Sequence, residues 1–165
     1  MTMSLTDFND AGPADAAAAV RPCLDVDRWV DAIVAGRPYP DVDAAVAVAR
    51  SAADPFTDDE LTTALSHHPR IGERASGATA EADFSRAEQS GVSSDADVQR
   101  RLLGGNRAYE KRFGHVFLIR AAGRSSEEIL AALEERLTND AATERSIMAD
   151  ELRQIAVLRL QGVLS

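Results

Sequence analysis

Apolar residues recur along most of this chain at the three-to-four-residue spacing of helices that bury one side. Residues 26–35 carry Trp29, Ile33 and Val34 ahead of Gly36, a residue suited to a left-handed helix end. Residues 42–53 predict a second helix that stops before Asp54-Pro55. Thr57-Asp58-Asp59-Glu60 has the form of a capping box, in which a hydroxyl and a carboxylate satisfy the free amides of a new first turn. The helix it opens is predicted to reach Ser66 or His67. Pro69 ends it, because proline lacks an amide hydrogen and pushes His68 towards extended geometry.

Residues 71–80 hold Gly, Ser, Thr and Ala with little periodicity and predict a loop. A short helix over 80–89 is closed by Ser90-Gly91. A longer one, capped by Ser94, carries Val98, Leu102, Tyr109 and Phe113 and ends at Gly114. Gly104-Gly105 inside it predicts a kink or the close approach of another element. Residues 115–121 form the one strand-like run, centred on Val116-Phe117-Leu118-Ile119. With no second run to pair with, its backbone must meet helices, water, a twin subunit or a ligand. Ser125-Ser126-Glu127-Glu128 is another capping box, opening a helix through Leu137, and a last helix covers 141–164. The expected fold is all-α: one domain over residues 1–165, a bundle of about seven to nine helices with one short extended segment, disordered only at 1–4.

Composition narrows the function classes. A net charge of -9, with arginines scattered among acidic residues, opposes nucleic acid as a partner. No apolar run approaches the roughly 20 residues that cross a bilayer, so no membrane association is expected. Cys23 is the lone cysteine, which excludes an internal disulfide and a cysteine-rich metal cage and fits a cytoplasmic chain. Val163-Leu164-Ser165 is not a peroxisomal tripeptide. Lys111 is the one lysine and lies between Glu110 and Arg112, a poor setting for Schiff-base chemistry.

Few residues here move protons near neutral pH, and two kinds lie close in sequence. His67-His68-Pro69-Arg70-Ile71-Gly72-Glu73 places an imidazole at a helix exit. Ser85, Glu88 and Gln89 follow at i, i+3 and i+4, so a helix presents all three on one side. Alone, that trio reads as a solvated face. Beside a histidine held at a helix exit, its carboxylate suits proton transfer. Adjacent histidines on a helix diverge by about 100° and do not chelate one ion, so no metal is expected. Arg159 falls on the apolar side of the last helix with Met148, Leu152, Ile155 and Val163. It is snorkelling, paired with a buried carboxylate, or reaching a ligand.

These residues resemble the 2-oxo-4-hydroxy-4-carboxy-5-ureidoimidazoline (OHCU) decarboxylases, from about Leu5 to Leu164. The resemblance is carried by Trp29, Arg37-Pro38, His68-Pro69-Arg70-Ile71-Gly72, Ser85-x-x-Glu88-Gln89, Asn106-x-x-Tyr109-Glu110-x-Arg112-Phe113-Gly114, Phe117, Gly123-Arg124-Ser125, Arg136-Leu137-x-Asn139-Asp140 and Ile155-x-x-Leu158-Arg159-Leu160. Gly105 and Val116 stand where many members have leucine and proline. The resemblance implies a cofactor-free, all-helical, commonly homodimeric enzyme that forms (S)-allantoin in urate breakdown. It implies His68 as general acid/base with Glu88 as its carboxylate partner. Pro69, Ser85, Gln89 and Arg159, with the backbone of Phe117, Leu118 and Ile119, would contact the ureide substrate. Two rivals remain at this point: a non-catalytic helical module that binds a ureide or a partner, and a metal-dependent ureide hydrolase using His67, His68 and Glu88.

Overall fold

Side-chain oxygens that accept backbone amides open helix after helix. Ser4 receives Asp7 N, Asp41 receives Ala44 N, Thr79 receives Ala82 N, and Asp95 receives Asp97 N and Val98 N. Thr57/Glu60 and Ser125/Glu128 both close as reciprocal capping boxes. Asp140 accepts from Thr143 N at 2.7 Å. Each interaction satisfies donors that a helix start leaves free.

The computed structural model describes residues 2–72, 79–93 and 95–165. Its helices are α1 (Leu5–Asp10), α2 (Pro13–Val20), α3 (Asp27–Ala35), α4 (Val42–Ser51), α5 (Asp58–Leu65), α6 (Ala80–Glu88), α7 (Ala96–Phe113), α8 (Ser126–Arg136) and α9 (Ala141–Val163), with a 3₁₀ turn at Arg21–Cys23. Among the described residues there is no strand, and the all-α expectation holds. Most of the predicted loop over 71–80, including Glu73, lies outside the described residues, as does Ser94. Asp95 caps α7. Pattern reading did not find α1, α2 or the 3₁₀ turn. Before α1, Met3 N donates to Val163 O at 2.7 Å and Ser4 supplies the cap.

The chain divides into two compact units, Met1–Ser66 with Arg153–Ser165, and His67–Leu152. The first buries Phe8, Trp29, Ile33, Phe56, Ile155 and Leu160. Its polar ties are long-range in sequence. Trp29 Nε1 donates to Ala49 O, and Arg153 bonds the carbonyls of Ala49, Ala52 and Ala53 at the end of α4 while stacking on Phe56. Arg37 does the same for Phe8 and Ala11 at the end of α1. Gly36 ends α3 with φ -76°, so it is not the left-handed cap expected. Its missing side chain instead leaves room for the Tyr39 ring, whose hydroxyl donates to Ile33 O at 2.6 Å.

The second unit is built on a cluster of Ile71, Leu102, Tyr109, Phe117, Ile119, Ala121, Ile129, Leu130 and Leu133. Helix α7 runs unbroken through Gly104-Gly105 and ends at Gly114 with φ +80°. Of the two readings of that glycine pair, close approach is the one realised: Leu133 of α8 occupies the space a side chain on Gly105 would need. Residues 116–121 lie outside any helix or strand.

Candidate active site

All the sequence-derived site residues except Arg159 fall in the second unit. His67 is exposed, whereas His68 and Pro69 are half-buried in the segment that follows α5. Ser85 is buried on α6, Glu88 is half-buried as its last residue, and Gln89 is its C-cap. The i, i+3, i+4 trio thus sits on the final turn of one helix.

Gln89 joins that turn to the histidine segment. Its Oε1 accepts from Gly72 N at 3.0 Å, and its Nε2 reaches Arg70 O at 3.5 Å. The positive φ of Gly72, +93°, is one that a side chain would strain. From α7, Asn106 Nδ2 donates to Ile71 O at 2.9 Å, and Glu110 forms a two-point ion pair with the Arg70 guanidinium. The three residues after Pro69 are therefore held by both α6 and α7.

Phe117, Leu118 and Ile119 are buried, and Phe117 and Ile119 share the apolar cluster with Ile71. Helix side chains supply the bonds that a strand partner would otherwise give. Arg136 Nη1 donates to Leu118 O at 2.7 Å, and Arg120 N donates to Glu151 Oε2 at 3.0 Å. Arg136 also pairs with Glu144, which accepts from Tyr109 and Asn139 as well. Burial, and after it the bond to Glu144, push the Tyr109 phenol above its ordinary range. Arg159 is buried in the first unit and donates from Nη1 to Pro22 O at 3.2 Å.

Asn106, Glu110, Arg136 and Glu144 shape this region, though sequence reasoning gave them no role. A signal existed for one of them. Glu144 lies on the same helical stripe as Met148, Leu152, Ile155 and Arg159, a carboxylate where an apolar residue is expected. Asn106 and Glu110 stand one turn apart, but their partners Ile71 and Arg70 are 35 and 40 residues away. Among the described residues, no His, Cys, Asp and Glu side chains gather into a group able to hold a metal ion. No described helix is long and apolar enough to cross a membrane.

The family model described as OHCU decarboxylase matches residues 9–161. The chain belongs to that family. It is 31% identical to a 2-oxo-4-hydroxy-4-carboxy-5-ureidoimidazoline decarboxylase of Haloferax volcanii over 75% of this chain and 73% of that one. It is 37% identical to a uric acid degradation bifunctional protein of Arabidopsis thaliana, over 62% of this chain. There it spans only 33% of the relative's length. A crystal structure of OHCU decarboxylase in the presence of (S)-allantoin superposes with a TM-score of 0.67 at 27% identity, covering 86% of this chain and 94% of that chain. The all-helical OHCU decarboxylase fold therefore extends over most of the chain, and the His-Pro segment, α6 and the 117–119 segment all lie inside the matched span.

Proposed function

We propose that this chain decarboxylates 2-oxo-4-hydroxy-4-carboxy-5-ureidoimidazoline to (S)-allantoin without a cofactor. Family membership across residues 9–161 is the observation that carries this reading. In that substrate the carbon bearing the carboxylate also bears a hydroxyl and adjoins a ring C=N. When the bond to CO2 breaks, its electron pair forms a carbon–carbon double bond as the imine nitrogen takes a proton. The resulting enol gives up its hydroxyl proton and becomes the ring amide carbonyl of the product while a proton is added to the ureido-bearing carbon. The imine is thus the electron sink.

His68 is the acid/base group that manages these protons, with Glu88 as its carboxylate partner. Delivery of the last proton to one face fixes the (S) product. Pro69, Ser85, Gln89 and the backbone of Phe117, Leu118 and Ile119 position the ureide. Arg159 serves best on a ring or ureido oxygen that gains charge, because a grip on the departing carboxylate would favour the ground state. Two copies assemble as a homodimer, which light scattering on purified protein tests separately.

The deciding experiment generates the unstable substrate from urate with urate oxidase and the hydrolase that follows it, adds this protein, and follows the circular dichroism of (S)-allantoin. Catalysed appearance of the signal is expected. His68→Ala should lower the rate by about 10² to 10⁴ while leaving the helical signal intact. A wild-type chain that adds nothing to the spontaneous decay overturns the reading, and a His68→Ala variant with near-normal turnover removes His68 from it.

A further inference from the structure

We propose that Asn106 is a positioning residue for His68, acting through the Ile71 carbonyl, with Glu110 one turn further along α7 as its auxiliary. The inference rests on the acid/base role of His68 proposed above. Asn106 is 2% exposed, and its Nδ2 donates to Ile71 O at 2.9 Å. Its Oδ1 is buried too and meets no donor among the described residues. The amide thus satisfies the Ile71 carbonyl while leaving its own buried acceptor unpaired, which is destabilising. Reversing the amide would set two acceptors face to face. What asparagine supplies at this position is one oriented N–H, directed at the chain three residues beyond His68.

Packing alone does not hold that segment. A cavity of about 310 Å³ lies against it, lined by Arg70, Ile71 and Gly72 on the segment side and by Gln99, Leu102 and Asn106 on α7. With that cavity on one flank, polar ties add to the burial of Ile71 in placing the backbone. Those ties include the Asn106 bond, the Gln89 clip on Gly72, and the Arg70–Glu110 ion pair. Gln89 is already drawn into substrate contact by the proposed function. Asn106 and Glu110 are not, and both reach the segment from a helix that carries none of the proposed catalytic groups.

A general base displaced by about 1 Å can lose up to 10²-fold in rate, whereas substrate contacts made by other residues persist. Asn106→Leu is therefore expected to lower kcat about tenfold per folded molecule, leave KM within about twofold, and move the limb of the kcat–pH profile that His68 sets. Glu110→Ala, on a half-buried position, should shift kcat in the same direction by about threefold and supplies the test if Asn106→Leu fails to fold. Unchanged kcat and pH profile in the folded fraction of these variants would overturn the proposal. The His68 imidazole signals in an NMR spectrum give a readout independent of turnover. If the wild-type chain makes no (S)-allantoin, the functional reading has failed, and positioning is then judged by those signals: moved in the variant they support it, unmoved they reject it.

Discussion

Arg136 donates to the carbonyl of Leu118 at 2.7 Å from a side chain almost wholly buried, and its guanidinium lies 4.6 Å over the Phe117 ring. This apolar segment, outside any helix or strand, is thus fastened by a helix. The same guanidinium neutralises Glu144, which is 0% exposed. Arg136→Met strands that carboxylate in the core and should cost about 3–5 kcal/mol in urea unfolding. Because a buried pair often does no better than apolar residues of similar volume, the double variant Arg136→Met, Glu144→Leu should recover much of the loss. A double variant as unstable as the single one would show that the Leu118 and Phe117 contacts, not the stranded charge, dominate.

Adjacent glycines in α7 should respond in opposite directions. A methyl group on Gly104 meets nothing, so Gly104→Ala gains only helix propensity, about 0.5–1 kcal/mol. The same change at Gly105 drives a carbon into the Leu133 side chain, which is 1% exposed in the core cluster. Overpacking there should cost about 1–3 kcal/mol. Paired thermal melts of the two variants read the contrast directly, and two stabilised variants would mean that Leu133 repacks freely.

Acid sensitivity has an identifiable source in the first unit. The Arg28 guanidinium, followed by the Thr57 amide, holds the Glu60 carboxyl at about 2. A carboxyl whose folded pKa is depressed stabilises the protein above its unfolded value, and the contribution is lost as pH falls from about 4.5 towards 2. Arg28 is half exposed, so solvent screening limits the effect to about 1 kcal/mol or less. Glu60→Gln can keep much of the capping box while removing the charge. Its unfolding free energy should fall less steeply than wild type between about pH 5 and pH 3, and parallel slopes would remove Glu60 from the acid response.

Local chemistry was legible in the sequence, and distant partnership was not. Thr57/Glu60 and Ser125/Glu128 announce their helices because a capping box is complete within four residues. Pro69 announces the exit at His68 for the same reason, and an apolar run with no second strand correctly marked 115–121 as needing outside partners. Gly36 was misread because its constraint is the Tyr39 ring and not its own backbone angle. Helix α1 is only six residues long, with Phe8 as its buried residue, too little for a periodicity to register. In the candidate site, residue types and helix faces could be read off, whereas the Asn106–Ile71 and Arg136–Leu118 ties depend on the folded path of the chain. Arg159 was flagged by periodicity alone, with its three explanations left open.

Of those three, snorkelling is the weakest, because Arg159 is 3% exposed and one guanidinium nitrogen is committed to the Pro22 carbonyl. A structural tie and a ligand contact both remain compatible with a planar group that has five donors, and substitutions separate them. Arg159→Lys keeps the charge but replaces the planar fork with a compact ammonium, which cannot present two parallel donors to a ureide or ring carbonyl. If Arg159 stabilises developing charge, Arg159→Lys should lower kcat/KM by about tenfold or more per folded molecule, and Arg159→Met further still. Both variants should be scored against their own urea midpoints. A rate loss that merely follows the loss of folded protein would leave Arg159 as a structural residue that anchors the Pro22 carbonyl.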